Sequence, residues 1–177
     1  MMYSGRDAVW PQFPGRQVRL AGSGGPPPAR QRTCAAAGTA MIQKTCNLWL
    51  ERADYRCILT SGAVGGDGEA VLETRSAREA TAKFAGLGAD LGRLLTARGN
   101  HVHLIRPGLC CFPIKQFQWS GPSLQIIQRS AHELAELVKT AKTLLPRPGC
   151  GPGELPLADV IAALSFLPDN VVLVEEA

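Results

Sequence analysis

"LLPRPGCGPGELPLADV", Leu144 to Val160, alternates Gly149, Gly151 and Gly153 with Cys150 and Pro152, between an apolar run and a helix start. A loop without bulky side chains lets backbone N–H groups come close to a ligand. Glu154 to Ile161 reads as the helix start, with Pro156 accommodated in the first turn, where an N–H lacks an intrahelical partner anyway. A strand, a glycine loop and a helix N-terminus together form an anion site, usually for phosphate; a tight surface turn is the alternative reading. Two named phosphate loops are excluded. A Walker A loop needs a Lys-Ser or Lys-Thr pair, and none follows Gly149. A dinucleotide fingerprint needs a glycine where Glu154 stands, and it opens the first strand–helix unit of its fold.

Working outward, Thr143 to Leu145 reads as the strand entering the loop. Val160, Ile161 and Leu164 form the buried face of the helix leaving it, and "NVVLVE" (Asn170 to Glu175) is a fully buried strand. The strongest helix follows Pro122: Leu124, Ile127, Ala131, Leu134, Val138 and Ala141 recur at steps of three and four, a core-facing stripe. Farther back, "HVHLIR" (His101 to Arg106) predicts a strand with Val102 and Leu104 on one face. Leu91, Leu94 and Leu95 mark a short helix closed by Gly99. Ser76 and Glu79 have capping-box spacing, opening a helix with Ala77, Ala80, Phe84 and Leu87 on its apolar face. "YRCILT" (Tyr55 to Thr60) is a strand running into a glycine-rich connection, and Ile42 to Cys46 is a shorter edge strand. Strands alternating with helices predict an α/β domain with helices on both faces of its sheet, whose ligands gather beyond the carboxyl ends of the strands.

The 177 residues and 45% hydrophobic content suffice for one domain with a core. The net charge of +4 resides entirely in residues 1–40, where Arg6, Arg16, Arg19, Arg30 and Arg32 oppose only Asp7. The remainder is neutral, which argues against a basic nucleic-acid surface. Residues 1–40 contain "GSGGPPPARQR" and no periodic apolar spacing, and they read as a disordered extension to a domain over residues 41–177. Their arginines suit a transit peptide, but Pro26 to Pro28 oppose the helix such peptides form; an over-extended start is the other reading, because Met41 directly precedes the first regular segment. No apolar run is long enough to span a membrane. Six cysteines without a C-x-x-C pair or a secretory signal point to reduced thiols and a cytoplasmic protein.

The stretch "LPRPGCGPGELPLADV" resembles the strand–loop–helix of macro domains, in the branch related to terminal ADP-ribose–protein glycohydrolase and to small bacterial and phage ADP-ribose-binding proteins. The likeness continues backward through "GNHVHLIRPGLCCFPIKQFQW", "GEAVLETRSAREA" and "CNLW", covering roughly Lys44 to Val174. It implies a three-layer sandwich, a mixed sheet with helices on both faces, around a cleft for ADP-ribose. The implied ligand contacts are Asn47, Leu48, Ser61, Leu72, Ala77, Pro148, Gly149, Cys150, Gly151, Pro152 and Gly153. Asn47 stands where the family usually has an adenine-reading Asp, and keeps an acceptor oxygen without the charge. Ser61 replaces an Asn near the distal ribose, and Glu73 and Arg75 replace two glycines of the early loop. Glu73 is expected to repel a diphosphate and Arg75 to attract it, or both to face water.

Lys115 matches a lysine that attacks the anomeric carbon in the glycohydrolase, with Phe112, Phe117 and Trp119 expected to desolvate it. The helping Asp of that enzyme corresponds to Gly153 here. The leading expectation is therefore a monomer, without cofactor or membrane segment, that binds ADP-ribose or an ADP-ribosylated protein or nucleic acid end. Hydrolysis through Lys115 is the alternative, and a degenerate domain without ligand the third. His101 and His103, which with Cys110 or Cys111 resemble a zinc set, read instead as the solvent face of an edge strand, and Trp119 as packing rather than a base stacker.

Overall fold

The structure, a computed structural model, describes residues 41–150 and 154–175. The expectations for residues 1–40 and for Gly151, Pro152 and Gly153 lie outside the described residues. In chain order the elements are β1 (Gln43–Thr45), β2 (Tyr55–Ser61), α1 (Arg75–Lys83), α2 (Leu87–Arg98), β3 (Leu104–Arg106), β4 (Leu109–Lys115), α3 (Leu124–Val138), β5 (Thr143–Pro146), α4 (Leu157–Ala163) and β6 (Val171–Glu175). They build the expected α/β sandwich. One six-stranded sheet runs β1-β6-β5-β2-β4-β3, with every neighbouring pair parallel except the β3–β4 edge pair.

Side chains alternate across this sheet as the pleat requires. Cys57 and Leu59 of β2, Cys110, Phe112 and Ile114 of β4, and Val171 and Leu173 of β6 face the stripe Ile127, Ala131, Leu134 and Val138 of α3, with Val160 of α4. Ile58 and Leu109 face Ala77 and Ala80 of α1 and Leu87 of α2. Buried on both faces, the central strands read as continuous apolar runs.

β4 is the strand that periodicity does not reveal, because Pro113 interrupts "LCCFPIK" and proline normally argues against an inner strand. The fold accommodates it locally. Thr60 lies opposite Pro113, and the β2–β4 register shifts directly after Thr60, so the break in pairing falls beside the residue that has no N–H to donate. Ser130 of α3 donates its hydroxyl to the Pro113 carbonyl at 2.8 Å.

Other elements differ from the sequence pattern for identifiable reasons. Thr74, not Ser76, caps α1: its Oγ1 accepts from the Ala77 N–H at 3.3 Å, while Ser76 is buried inside the first turn. The "HVHLIR" strand shortens to Leu104–Arg106. His103 is buried rather than solvent-facing, with its Nε2 3.0 Å from the Gly99 carbonyl oxygen, and His101 Nδ1 lies 2.6 Å from Glu133. Among the described residues no group of three His, Cys, Asp or Glu side chains is placed to hold a metal. Pro156 precedes α4 as its N-cap, and Ile161 is only half-buried beside the buried Val160 and Leu164.

Three thiols lie within the sheet. Cys57 and Cys110 are register partners on neighbouring strands, Cys111 follows, and all three have no exposed surface. Burial pushes the Cys57 thiol well above its usual value and those of Cys110 and Cys111 up to about 12. The contact of α2 with the loop after β2 is equally close: a Cβ added at Gly92 would stand 2.0 Å from the Gly68 carbonyl oxygen. Gly92→Ala is therefore expected to destabilise the fold by about 2–3 kcal/mol through overpacking. Gly66→Ala, where a Cβ meets nothing within 4 Å, should stay within about 0.5 kcal/mol of the parent in denaturant melts.

Candidate functional site

Five parallel strands send their carboxyl ends to one edge of the sheet, but two neighbours part early. β2 stays paired with β4 through Ser61, and β5 with β6 through Pro146, yet β2 and β5 pair only at Tyr55 with Thr143 and Arg56 with Leu144. Beyond that point the chain leaves β2 toward α1 on one face and β5 toward α4 on the other, the arrangement in which an open α/β sheet forms its crevice. A cavity of about 710 Å³ occupies this divergence, floored by Leu59, Ile114, Pro146 and Val174 from the ends of four strands.

One wall is the start of α1. Thr74 Oγ1 donates to the Leu59 carbonyl at 2.6 Å, and Ser76 Oγ accepts from the Leu59 N–H at 3.1 Å. The two hydroxyls satisfy backbone groups that β5 no longer reaches, and they fix the helix start over the cavity. Thr74, Arg75, Ser76 and Arg78 line that wall. Arg75 ion-pairs with Glu79 at 3.1 Å. The Trp49 indole N–H, with Arg75, holds the Glu79 carboxyl below the ordinary carboxylate range.

The other wall is the loop after β5. Arg147 is anchored on Glu175 at 2.9 Å and Gln43 at 3.2 Å. Gly149 is buried at φ +69°, where an added Cβ would also press on Pro122 at 2.9 Å, so the position requires glycine on both counts. Its carbonyl accepts from the Leu155 N–H at 3.0 Å, drawing the two ends of the glycine stretch together. Burial pushes the Cys150 thiol up, and its Sγ donates to the Pro148 carbonyl at 3.5 Å.

The cavity gathers only part of the set the sequence implied. Gly149 and Cys150 line it, and Pro148 is buried beside them. Ser61 is buried at the end of β2, with its hydroxyl accepting from the Ala63 N–H at 3.4 Å. Leu72 is half-buried against Ile58 and its neighbours. Leu48 and Ala77 have side chains inside the core, because apolar groups are more stable there than on a polar ligand's path. Asn47 accepts from the Trp49 N–H at 2.9 Å and lines a separate hollow of about 410 Å³ with Trp49 and Lys83.

Lys115 and Glu73 change roles. Lys115 Nζ donates to the Gln118 carbonyl at 2.7 Å and pairs with Glu73 at 3.3 Å, while Gln118 Nε2 donates to the other Glu73 oxygen. The expected aromatic setting is absent from these partners: Phe112 is in the core, and Phe117 and Trp119 stack on each other at 5.3 Å, both exposed. Neither Lys115 nor Glu73 lines the cavity, and the Glu73 carboxylate pairs with Lys115. Sequence reasoning passed over Arg78 and Arg147. The signal for Arg78 was its i+3 spacing from Arg75, which puts both on one helix face.

This architecture is that of the macrodomain fold. The chain superposes on the macrodomain of Thermus aquaticus DarG with TM-score 0.59 and 17% identity, over 77% of this chain and 98% of that one. For the macrodomain of Mycobacterium tuberculosis DarG the values are 0.63 and 15%, with the same coverage. Thermosipho africanus DarTG, solved in complex with ADP-ribose, matches with TM-score 0.58 and 12% identity over 74% of this chain and 40% of that one. No protein-family model and no curated protein matches the sequence.

The side chains of the Glu73–Lys115 pair are 39% and 16% exposed. A double-mutant cycle with Glu73→Gln and Lys115→Met is expected to give a coupling of about 0.5–1 kcal/mol that shrinks in high salt. A coupling near zero at low salt would show that the clamp adds nothing to the fold.

Proposed function

We propose that the cavity between β2 and β5 binds ADP-ribose, free or carried by a protein or nucleic acid end, and that the glycine stretch after β5 holds its diphosphate. The observation that carries this reading is the cavity itself. It opens where the strands diverge, has a glycine that tolerates no side chain in one wall, and has arginines in both. Its volume of about 710 Å³ lies in the range of small-molecule and cofactor sites. A diphosphate supplies two negative charges and many acceptor oxygens, which suit backbone N–H groups and guanidinium forks alike. The ADP-ribose complex of Thermosipho DarTG supports the choice of ligand on this fold. The reading is binding rather than hydrolysis, because Lys115 is engaged by Glu73 and the Gln118 carbonyl outside the cavity lining.

Calorimetric titration of the purified chain with ADP-ribose, ADP and AMP tests it. Saturable binding of ADP-ribose at least tenfold tighter than AMP is expected, about 1.4 kcal/mol of preference. At a ligand concentration of about 100 Kd the folded state should gain about 2.7 kcal/mol. Gly151→Val, which places a branched side chain in the glycine stretch, should abolish binding with the fold retained. Absence of ADP-ribose binding at millimolar concentration would refute the reading, and undiminished affinity in Gly151→Val would move the site away from this loop.

A further inference from the structure

Arg78 is the cavity group that packing does not explain. It is exposed in the second turn of α1, lines the cavity, and among the described residues its guanidinium has no hydrogen-bond or ion-pair partner. The two arginines that share the cavity are differently placed: Arg75 pairs with Glu79, and Arg147 with Glu175 and Gln43. Arg147 also keeps a buried Nε without a partner. The cavity carboxylates do not neutralise Arg78, since Glu175 is taken by Arg147 and Glu154 is itself engaged.

The neutral donors of the α1 wall are largely spent on the fold. The Thr74 hydroxyl proton goes to the Leu59 carbonyl, the Ala77 N–H to Thr74 Oγ1 and the Arg78 N–H to the Thr74 carbonyl. Besides the backbone N–H groups of Arg75 and Ser76 at the helix start, what that wall offers an anion is guanidinium. Residues three apart on a helix lie about 5–6 Å from each other at Cβ, so the forks of Arg75 and Arg78 span a group broader than one carboxylate or one phosphate. We propose that Arg78 is a phosphate-binding residue and that, with Arg75 and Arg147, it forms a guanidinium wall selective for a phosphoanhydride, two adjacent phosphates, over a single phosphate. This rests on the reading of the cavity as a ligand site. It assigns to side chains a share of the diphosphate recognition otherwise given to the glycine stretch.

The test is calorimetry on the full chain with inorganic pyrophosphate, inorganic phosphate and ADP-ribose, for the parent, Arg78→Gln and Arg78→Lys, with melting curves to confirm the fold. Arg78 is exposed, so both variants should fold as the parent does. Pyrophosphate should bind the parent at least tenfold tighter than phosphate, with an affinity that falls as salt rises. Arg78→Gln should lose about tenfold toward both pyrophosphate and ADP-ribose. Arg78→Lys should recover part of it, because a point charge lacks the fork. Pyrophosphate binding that depends on Arg78 without any ADP-ribose binding would uphold the wall and refute the nucleotide reading. ADP-ribose bound equally well by the parent and Arg78→Gln would uphold that reading and overturn the wall. A parent that does not bind pyrophosphate would also overturn the wall.

Discussion

Everything at the cavity edge of this sheet depends on how one residue's backbone is satisfied. Leu59 lies past the point where β5 stops pairing with β2, and a buried N–H and carbonyl left bare there would each cost a few kcal/mol. Thr74 and Ser76 provide both partners. Their hydroxyls stand in for the missing strand, and the sheet is free to open without an orphaned backbone group. The same two bonds fix the first turn of α1, and with it Arg75 and Arg78, to the floor of the cavity.

The fold was legible because its elements announce themselves by period and boundary. The α3 stripe from Ile127 to Val138 and the apolar β6 run were both readable, and both lie where expected. β4 was not, since Pro113 carries the signature of a break, and only the register shift after Thr60 and the Ser130 bond make it tolerable. Thr74 was overlooked as a cap for a related reason: Ser76 and Glu79 have the spacing, but capping is decided by which hydroxyl reaches an N–H after α1 has docked on β2. Local sequence does not contain that docking.

The candidate site was legible as a place and much less as a list of side chains. Gly149 could be named from sequence because part of its requirement, a positive φ, is local to the backbone. The meaning of Glu73 could not, since it depends on Lys115, 42 positions away, and on Gln118 from the next loop. A carboxylate that looks hostile to a phosphate in one dimension is, in three, a tie between two loops. Arg78 shows the reverse: it is an ordinary surface arginine in the sequence, and its interest comes from the concave, cation-lined setting that the strand divergence creates.

The three thiols inside the sheet give the molecule a chemical character of its own. Sulfur reacts with oxidants and electrophiles as thiolate, and burial pushes all three thiols up, which disfavours that form at neutral pH. Cys57, Cys110 and Cys111 also have no surface through which a peroxide or alkylating agent could approach. Both the raised pKa values and the burial therefore shield these positions in the folded domain. Modification of any of the three marks a molecule that has already opened its sheet, so these cysteines record the history of unfolding without taking part in the chemistry of the native state.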